Sequence, residues 1–347
     1  KVVDFPVVPT NPFFPNHNKN VTRGLMIGLA LSLIVVILFE IFDITIKNED
    51  DLNYASDYPI LAQIPDLNNS KKRKTYRNRY QSRYYSDENN NHQSAENDNK
   101  IGKNVNFVAS EAYKLLRTKL QYSFTDDQNC HVIAISSAMA GEGKSISCIN
   151  LAYNLAQMDK KVLVIDCDMR LPTIAKKLSL PNYPGLSEHL TGFMGMDELI
   201  QTYCDGEDQK PVYVLTAGHT PPNPVELIGS EKMQRAIATL REKFDFVLLD
   251  MPPIGDVSDA LVVSGLADGI LVIVRQNLDT RVAVREAIHQ FEFVNARILG
   301  FVFNCVGGKE MLYKKKYRYR YGYRRDYRRT YADAAVLNET VSAENQK

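Results

Sequence analysis

HVIAISSAMAGEGKSISCINLAYNLA, residues 131–156, decides how this chain folds. HVIAISS (131–137) is an apolar run of strand length, and AMAGEGKS (138–145) interrupts it with two glycines. Apolar residues then recur at helical spacing over 145–158. A strand, a glycine loop closed by Lys-Ser, and a helix together cradle phosphates. Gly141 and Gly143 permit backbone angles and close approaches that a side chain would obstruct. Backbone N–H groups and the helix N-terminus then face the phosphates. Lys144 brings a cation to the β- and γ-phosphates, and Ser145 a hydroxyl to Mg²⁺. Ala138 stands where the general pattern has Gly, but the setting between strand and helix is the required one.

Outward from this stretch the same texture repeats. KVLVID (161–166), PVYVLTA (211–217), FDFVLLD (244–250), GILVIVR (269–275) and ILGFVFN (298–304) are continuous apolar runs. Helical patterns lie among them, notably at 231–243 and 281–295. Strands apolar on both faces and alternating with helices predict an α/β fold, a mostly parallel sheet covered on both sides over 105–307. Ligands of such sheets sit beyond the C-terminal strand ends. VLVIDCDMRLP (162–172) puts Asp166, Asp168 and Arg170 there, on one face if the strand stays extended. FVLLDMPP (246–253) puts Asp250 at another strand end, where a metal-binding carboxylate belongs. One such Asp could cap a helix; three beside a Lys-Ser loop point to nucleotide chemistry.

Composition narrows the class. The 347 residues have a net charge of +1, which conceals basic runs at 71–83 and 314–329. The five cysteines are scattered and form no CxxC pair, which excludes a disulfide framework or a zinc site.

Residues 24–39, GLMIGLALSLIVVILF, carry no charge, and the apolar run resumes after Glu40. This is close to the ~20 residues that cross a hydrocarbon core, so one transmembrane helix is expected over 24–46. A signal peptide is disfavoured by the long approach and the missing small-residue cleavage site. Charges next to the span do not orient it clearly, but a nucleotide site on the C-terminal side belongs in the cytoplasm. Residues 1–23 include DFPVVPTNPFFPN, whose four prolines suit a stiff extracytoplasmic approach. Residues 47–104 read as a cytoplasmic juxtamembrane segment and flexible linker, with YPILAQIP (58–65) as a short apolar piece. The chain begins with Lys1, not Met, as expected of a fragment or processed form.

The glycine loop, the hydrophobic-D-x-D-x-R motif and the D-x-P-P motif together resemble the bacterial tyrosine kinases. These are P-loop enzymes related to MinD/ParA-type ATPases, not to eukaryotic kinases. The resemblance runs over 105–331 and includes GLSEHLTG (185–192). The membrane-proximal part is similar to the C-terminal end of polysaccharide co-polymerases, whose first span and extracytoplasmic domain are missing here. The resemblance implies ATP and Mg²⁺ as cofactors. Ala140, Gly141, Glu142, Gly143, Lys144, Ser145 and Ile146 would hold nucleotide, and Ser145, Asp168 and Asp250 would hold the metal. Lys144, Asp166, Asp168 and Asp250 would be the catalytic set, with Asp166 as base or orienter for a tyrosine hydroxyl. EAYKLLRTKL (111–120) is similar to the family's ring-forming helix. Glu111 and Arg117 match it, while Lys114 stands where Arg is usual and lacks the planar fork.

The tail YKKKYRYRYGYRRDYRRTY (313–331) then reads as substrate. Tyr313, Tyr317, Tyr319, Tyr321, Tyr323, Tyr327 and Tyr331 sit among cations that would draw them to acidic residues and ATP. Each added phosphate brings about −1.5 to −2 charges, enough in number to reverse the tail's sign and release a neighbour. The implied partners are other copies in a ring, a membrane, the polysaccharide assembly machinery and a cognate phosphatase, with no nucleic acid. The competing reading is an ATPase switch that phosphorylates no tyrosine.

Overall fold

The computed structural model describes residues 17–66, 101–102, 105–124, 129–206 and 209–307. The proline-rich approach before His17, residues 67–100 of the linker and the tyrosine-rich tail lie outside these residues. Two compact units divide the chain, one ending at Thr45 and the other starting at Ile46.

In the first unit, α1 spans His17–Phe42. Its segment Lys19–Leu38 is long and apolar enough to cross a membrane, about 30 Å at 1.5 Å per residue. None of that segment is buried by protein. The helix starts before and stops before the expected 24–46, ending where Asp43 turns to bond Thr45.

The second unit carries, in chain order, α2 (Glu49–Ala55), β1 (Ile60–Pro65), α3 (Phe107–Ser123), β2 (His131–Ser137), α4 (Lys144–Ala156), β3 (Val162–Asp166), α5 (Ile174–Leu178) and α6 (Leu186–Thr191). It continues with β4 (Gln201–Tyr203), β5 (Val212–Leu215), α7 (Pro224–Ile228), α8 (Glu231–Arg241), β6 (Phe246–Asp250), α9 (Asp259–Ser264), β7 (Gly269–Arg275), α10 (Arg281–Phe293) and β8 (Ile298–Val306). The eight strands form one sheet in the order β1-β8-β7-β2-β6-β3-β5-β4. Every pairing is parallel except β4 with β5 at the edge.

Strand alternation divides the core into two layers. Val132, Ala134, Leu163, Ile165, Val247 and Leu249 pack with α8 and α10 residues such as Leu240 and Phe291. Ile133, Ile135, Val162, Val164 and Leu248 pack with Leu116 and Leu120 of α3 and Leu151 and Leu155 of α4. Continuous apolar strands follow from this double coverage, since each side chain finds a helix whichever way it points.

YPILAQIP has a place in this sheet. β1 pairs in parallel with β8, Ile60 opposite Phe301 and Gln63 opposite Phe303, and Leu61, Ala62 and Ile64 are buried. Gly300 permits the approach, for a Cβ there would lie 2.3 Å from the Pro59 carbonyl oxygen at a φ of +144°. The compact unit thus begins at Ile46, well before the boundary at 105 read from sequence. Strand pairing across a long polar insertion leaves no local pattern to read. Nearby, Asn48 caps α2 in a reciprocal box with Asp51, and Asp51 Oδ1 accepts from Arg281 of α10 at 2.5 Å.

Candidate active site

The central strands β2, β6 and β3 end side by side, and each delivers part of the site. Beyond β2, the chain turns through Gly141 and Gly143, both at positive φ, and Gly143 caps α4 in the left-handed region. A Cβ on Gly143 would also come 2.3 Å from Asn304 Nδ2, so glycine is needed there twice over. Lys144 and Ser145 open α4, half-buried at the mouth of the loop. Ala140 and Gly141 are exposed, Glu142 is buried, and Gly143 and Ile146 are intermediate.

On β3 and β6, Asp166 and Asp250 are register partners across adjacent parallel strands. Both are buried. Asp250 lies beside Ser145, yet both of its carboxyl oxygens lack a hydrogen-bond partner. Burial pushes its pKa up to about 6, against the pull of Ser145 and Lys144. The Ser145 hydroxyl accepts a 2.8 Å hydrogen bond from Thr173 Oγ1. A buried carboxylate without donors next to a hydroxyl fits a hard divalent cation. No cluster of three or more His, Cys, Asp or Glu suited to a metal occurs among the described residues.

Asp166 is occupied differently. Its Oδ2 accepts from the amides of Thr173 and Ile174, both at 3.1 Å, and its Oδ1 from the amide of Asp168 at 3.2 Å. It therefore holds the start of α5 and the turn after β3. Burial, then the facing Asp250, pushes its pKa well above the ordinary value. Because β3 ends at Asp166, the extended run that would have put Asp166, Asp168 and Arg170 on one face stops there. Asp168 is the more open carboxylate, half-buried and accepting from the Leu171 amide at 3.0 Å, its pKa raised chiefly by burial. Arg170 turns aside to Asp259 at the start of α9, through Nε at 3.1 Å and Nη2 at 3.2 Å.

Sequence reading missed several neighbours of the loop. Lys177 on α5 is half-buried close enough to Asp250 and Asp166 to feel their charge, although burial lowers its pKa. Thr173, Arg275, Asp279 and Asn304 also converge on the site from distant positions. Of these, Thr173 and Lys177 follow the D-x-D-x-R motif closely enough to be inspected; the others had no motif to mark them. On α3, Glu111 pairs with Lys114 at 2.8 Å, and Arg117 Nη1 donates to the Asn154 carbonyl at 2.9 Å. Within this single chain, then, those three charges bond to their own subunit.

A glycine loop between a central parallel strand and a helix, with carboxylates at the ends of the next two strands on one side, β6 and β3, defines a P-loop nucleotide-binding protein. A family model described as "AAA domain" matches residues 130–298. Tyrosine-protein kinase YwqD of Bacillus subtilis is 34% identical over 208 residues, which cover 60% of this chain and 84% of that protein. The chain belongs to the bacterial tyrosine-protein kinases. Tyrosine-protein kinase ptk of Acinetobacter johnsonii is 27% identical over 88% of this chain, and etk of Escherichia coli 28% over the same share. The chain spans only 39% and 41% of their lengths. Among solved structures, the kinase domain of Escherichia coli ETK superposes with a TM-score of 0.60 at 26% identity, covering 75% of this chain and 94% of that one. The chimerical protein CapA2B2 gives 0.59 at 26% identity, over 75% and 100% of the two chains.

Proposed function

We propose that this chain is a membrane-anchored autokinase that transfers the γ-phosphate of ATP to its own C-terminal tyrosines. The supporting observation is where the tail leaves the domain. Asn304, near the end of β8, donates to the carbonyl of Glu142 in the phosphate loop at 2.7 Å. Tyr313 follows nine residues later and Tyr331 twenty-seven, spans of roughly 30 and 90 Å when extended. β8 thus ends near the phosphate loop, and the tail that follows it in sequence is long enough to enter a neighbour's site, so transfer in trans is expected.

Tyrosine, with a pKa of about 10, is a weak nucleophile at neutral pH and needs a base at its proton. Asp168 is suited to that role by its openness and raised pKa. It takes the phenolic proton as the phenol oxygen bonds to the γ-phosphorus, and ADP leaves with the electron pair of the broken P–O bond. Asp166, saturated with backbone amides, positions Asp168 and α5 instead of meeting substrate. Lys144 offsets charge on the transferring group. Ser145 and Asp250 would hold Mg²⁺, which supplies charge neutralisation on the phosphates. α1 would tether the domain to the cytoplasmic face of a membrane, and the kinase would regulate capsule or exopolysaccharide assembly. A self-assembled ring requires Arg117 to exchange Asn154 for a partner or to act from its present position.

Phosphosite mapping by mass spectrometry after incubation with MgATP, beside Lys144→Met, tests the proposal. Phosphate on several of Tyr313–Tyr331 in the wild type alone is the expected result. ATP turnover with an unmodified tail would overturn it in favour of the ATPase switch.

A further inference from the structure

Glu142 sits inside the phosphate loop, yet its side chain is fully buried. Its Oε1 accepts from the Met139 amide at 2.5 Å, tying the two ends of the loop together. Its Oε2 is buried and finds no donor, and the same holds for Oδ1 of Asp279 in the β7–α10 connection. The two carboxyl groups lie against each other as the halves of a side-chain hydrogen bond. Asp279 is fully buried too, and its Oδ2 accepts from the Arg275 amide at 2.5 Å.

Two facing buried carboxyls cannot both ionise, because neither has water to screen it. Burial, then the Asp279 contact, raises the pKa of Glu142, which favours the shared proton on Glu142. Hydrogen bonds from Glu142 and the Arg275 amide counter the burial that lifts Asp279. The pair therefore carries one proton and one negative charge, and the charge sits on Asp279, outside the loop.

Two further grips act on the same turn. Arg275 Nη1 donates to the Gly141 carbonyl at 2.8 Å, and Asn304 Nδ2 to the Glu142 carbonyl at 2.7 Å. A trans peptide points its C=O and the next N–H in opposite directions. Holding those two carbonyls against β7 and β8 aims the amides of Glu142 and Gly143 the other way. We propose that Glu142 and Asp279 form a proton-sharing clasp which, with Arg275 and Asn304, fixes the loop amides in the orientation that nucleotide phosphates require. Glu142 and Asp279 are then positioning residues, a role that rests on reading 138–145 as the phosphate loop.

Binding of a fluorescent N-methylanthraniloyl-ATP with Mg²⁺ to the full chain, alongside infrared spectra, tests the clasp. Glu142→Ala should weaken binding by about tenfold or more, since it orphans a buried acceptor. Glu142→Gln should recover most of that loss, because an amide N–H replaces the shared O–H. Asp279→Asn should weaken binding, because it moves the negative charge onto Glu142 inside the loop. The wild-type spectrum at neutral pH should contain a carboxylic-acid C=O band that disappears in Glu142→Gln. Equal weakening by Glu142→Gln and Glu142→Ala, or no acid band, would overturn the clasp. A wild-type chain that shows the band but does not bind the probe would instead sink the phosphate-loop reading. Thermal unfolding of each variant separates lost binding from lost fold, and the comparison of Glu142→Gln with Asp279→Asn stands even if Glu142→Ala does not fold.

Discussion

Asp166 and Asp250 face each other in register on neighbouring parallel strands, but only Asp166 is satisfied by backbone amides. Asp250 carries a buried carboxyl without donors at the point where phosphates and a cation would meet. Strain of this kind is tolerated where it serves chemistry.

Replacing that carboxylate by an amide of the same shape removes the cost of burying charge. Asp250→Asn is therefore expected to raise the stability of the nucleotide-free chain by about 1–3 kcal/mol and to abolish tail phosphorylation. Thermal unfolding and phosphotyrosine blotting on the same sample check both halves. A variant that lost stability would mean that Asp250 is held by donors after all.

Arg170 and Asp259 clamp the turn after β3 to the start of α9. Asp259 is fully buried, while the arginine is 41% exposed. Arg170→Ala leaves the carboxylate unpaired and should cost about 1–3 kcal/mol. Asp168 lies two residues away, so phosphorylation should fall by roughly tenfold or more through lost alignment. Adding Asp259→Asn should restore most of the stability but not the activity. Additive losses in that double-mutant cycle would show that the two side chains act independently.

β1 belongs to the catalytic unit although a long polar segment separates it from α3. Ile64 is fully buried against the β8 edge. Ile64→Ala should cost about 2–4 kcal/mol, measured by urea unfolding of residues 46–347. An unchanged midpoint would place β1 outside the cooperative unit.

Tyr113 of α3 is fully buried, and burial pushes its pKa up to about 12 from an ordinary 10, against the opposing pull of Ser147 and Asn150. Below pH 10 the phenol is neutral in both folded and unfolded chains, and its contribution to stability is fully present. As pH rises from 10 towards 12 the unfolded chain ionises first, so stability falls, by about 3 kcal/mol across two units. Tyr113→Phe should abolish that alkaline loss in a pH series of urea midpoints, at a cost of about 1 kcal/mol near neutrality from the lost polar contacts of the hydroxyl. A variant with the same alkaline slope would place the titration elsewhere.

The core strands and the phosphate loop were legible from residues close in sequence. Apolar runs bounded by Gly and Asp announce buried parallel strands, and AMAGEGKS needs only its own strand and helix to be recognised. The positions of Lys144 and Ser145 at the start of α4, and of Asp166 and Asp250 at strand ends, follow from that local grammar. The distinction between Asp166 and Asp168 does not. It depends on where β3 stops and which amides α5 presents, and a two-residue spacing carries neither fact.

What the sequence by itself determined is the class of fold, the apolar helix and the loop that would meet phosphate, because each is written in short-range periodicity and composition. Tertiary structure alone decided that β1 joins β8, that Arg170 binds Asp259, and that Glu142 meets Asp279. These pairs are 89 to more than 200 residues apart in sequence. Their partners are chosen by burial, since a carboxyl, a guanidinium or a strand edge removed from water must find its complement wherever the fold has placed it.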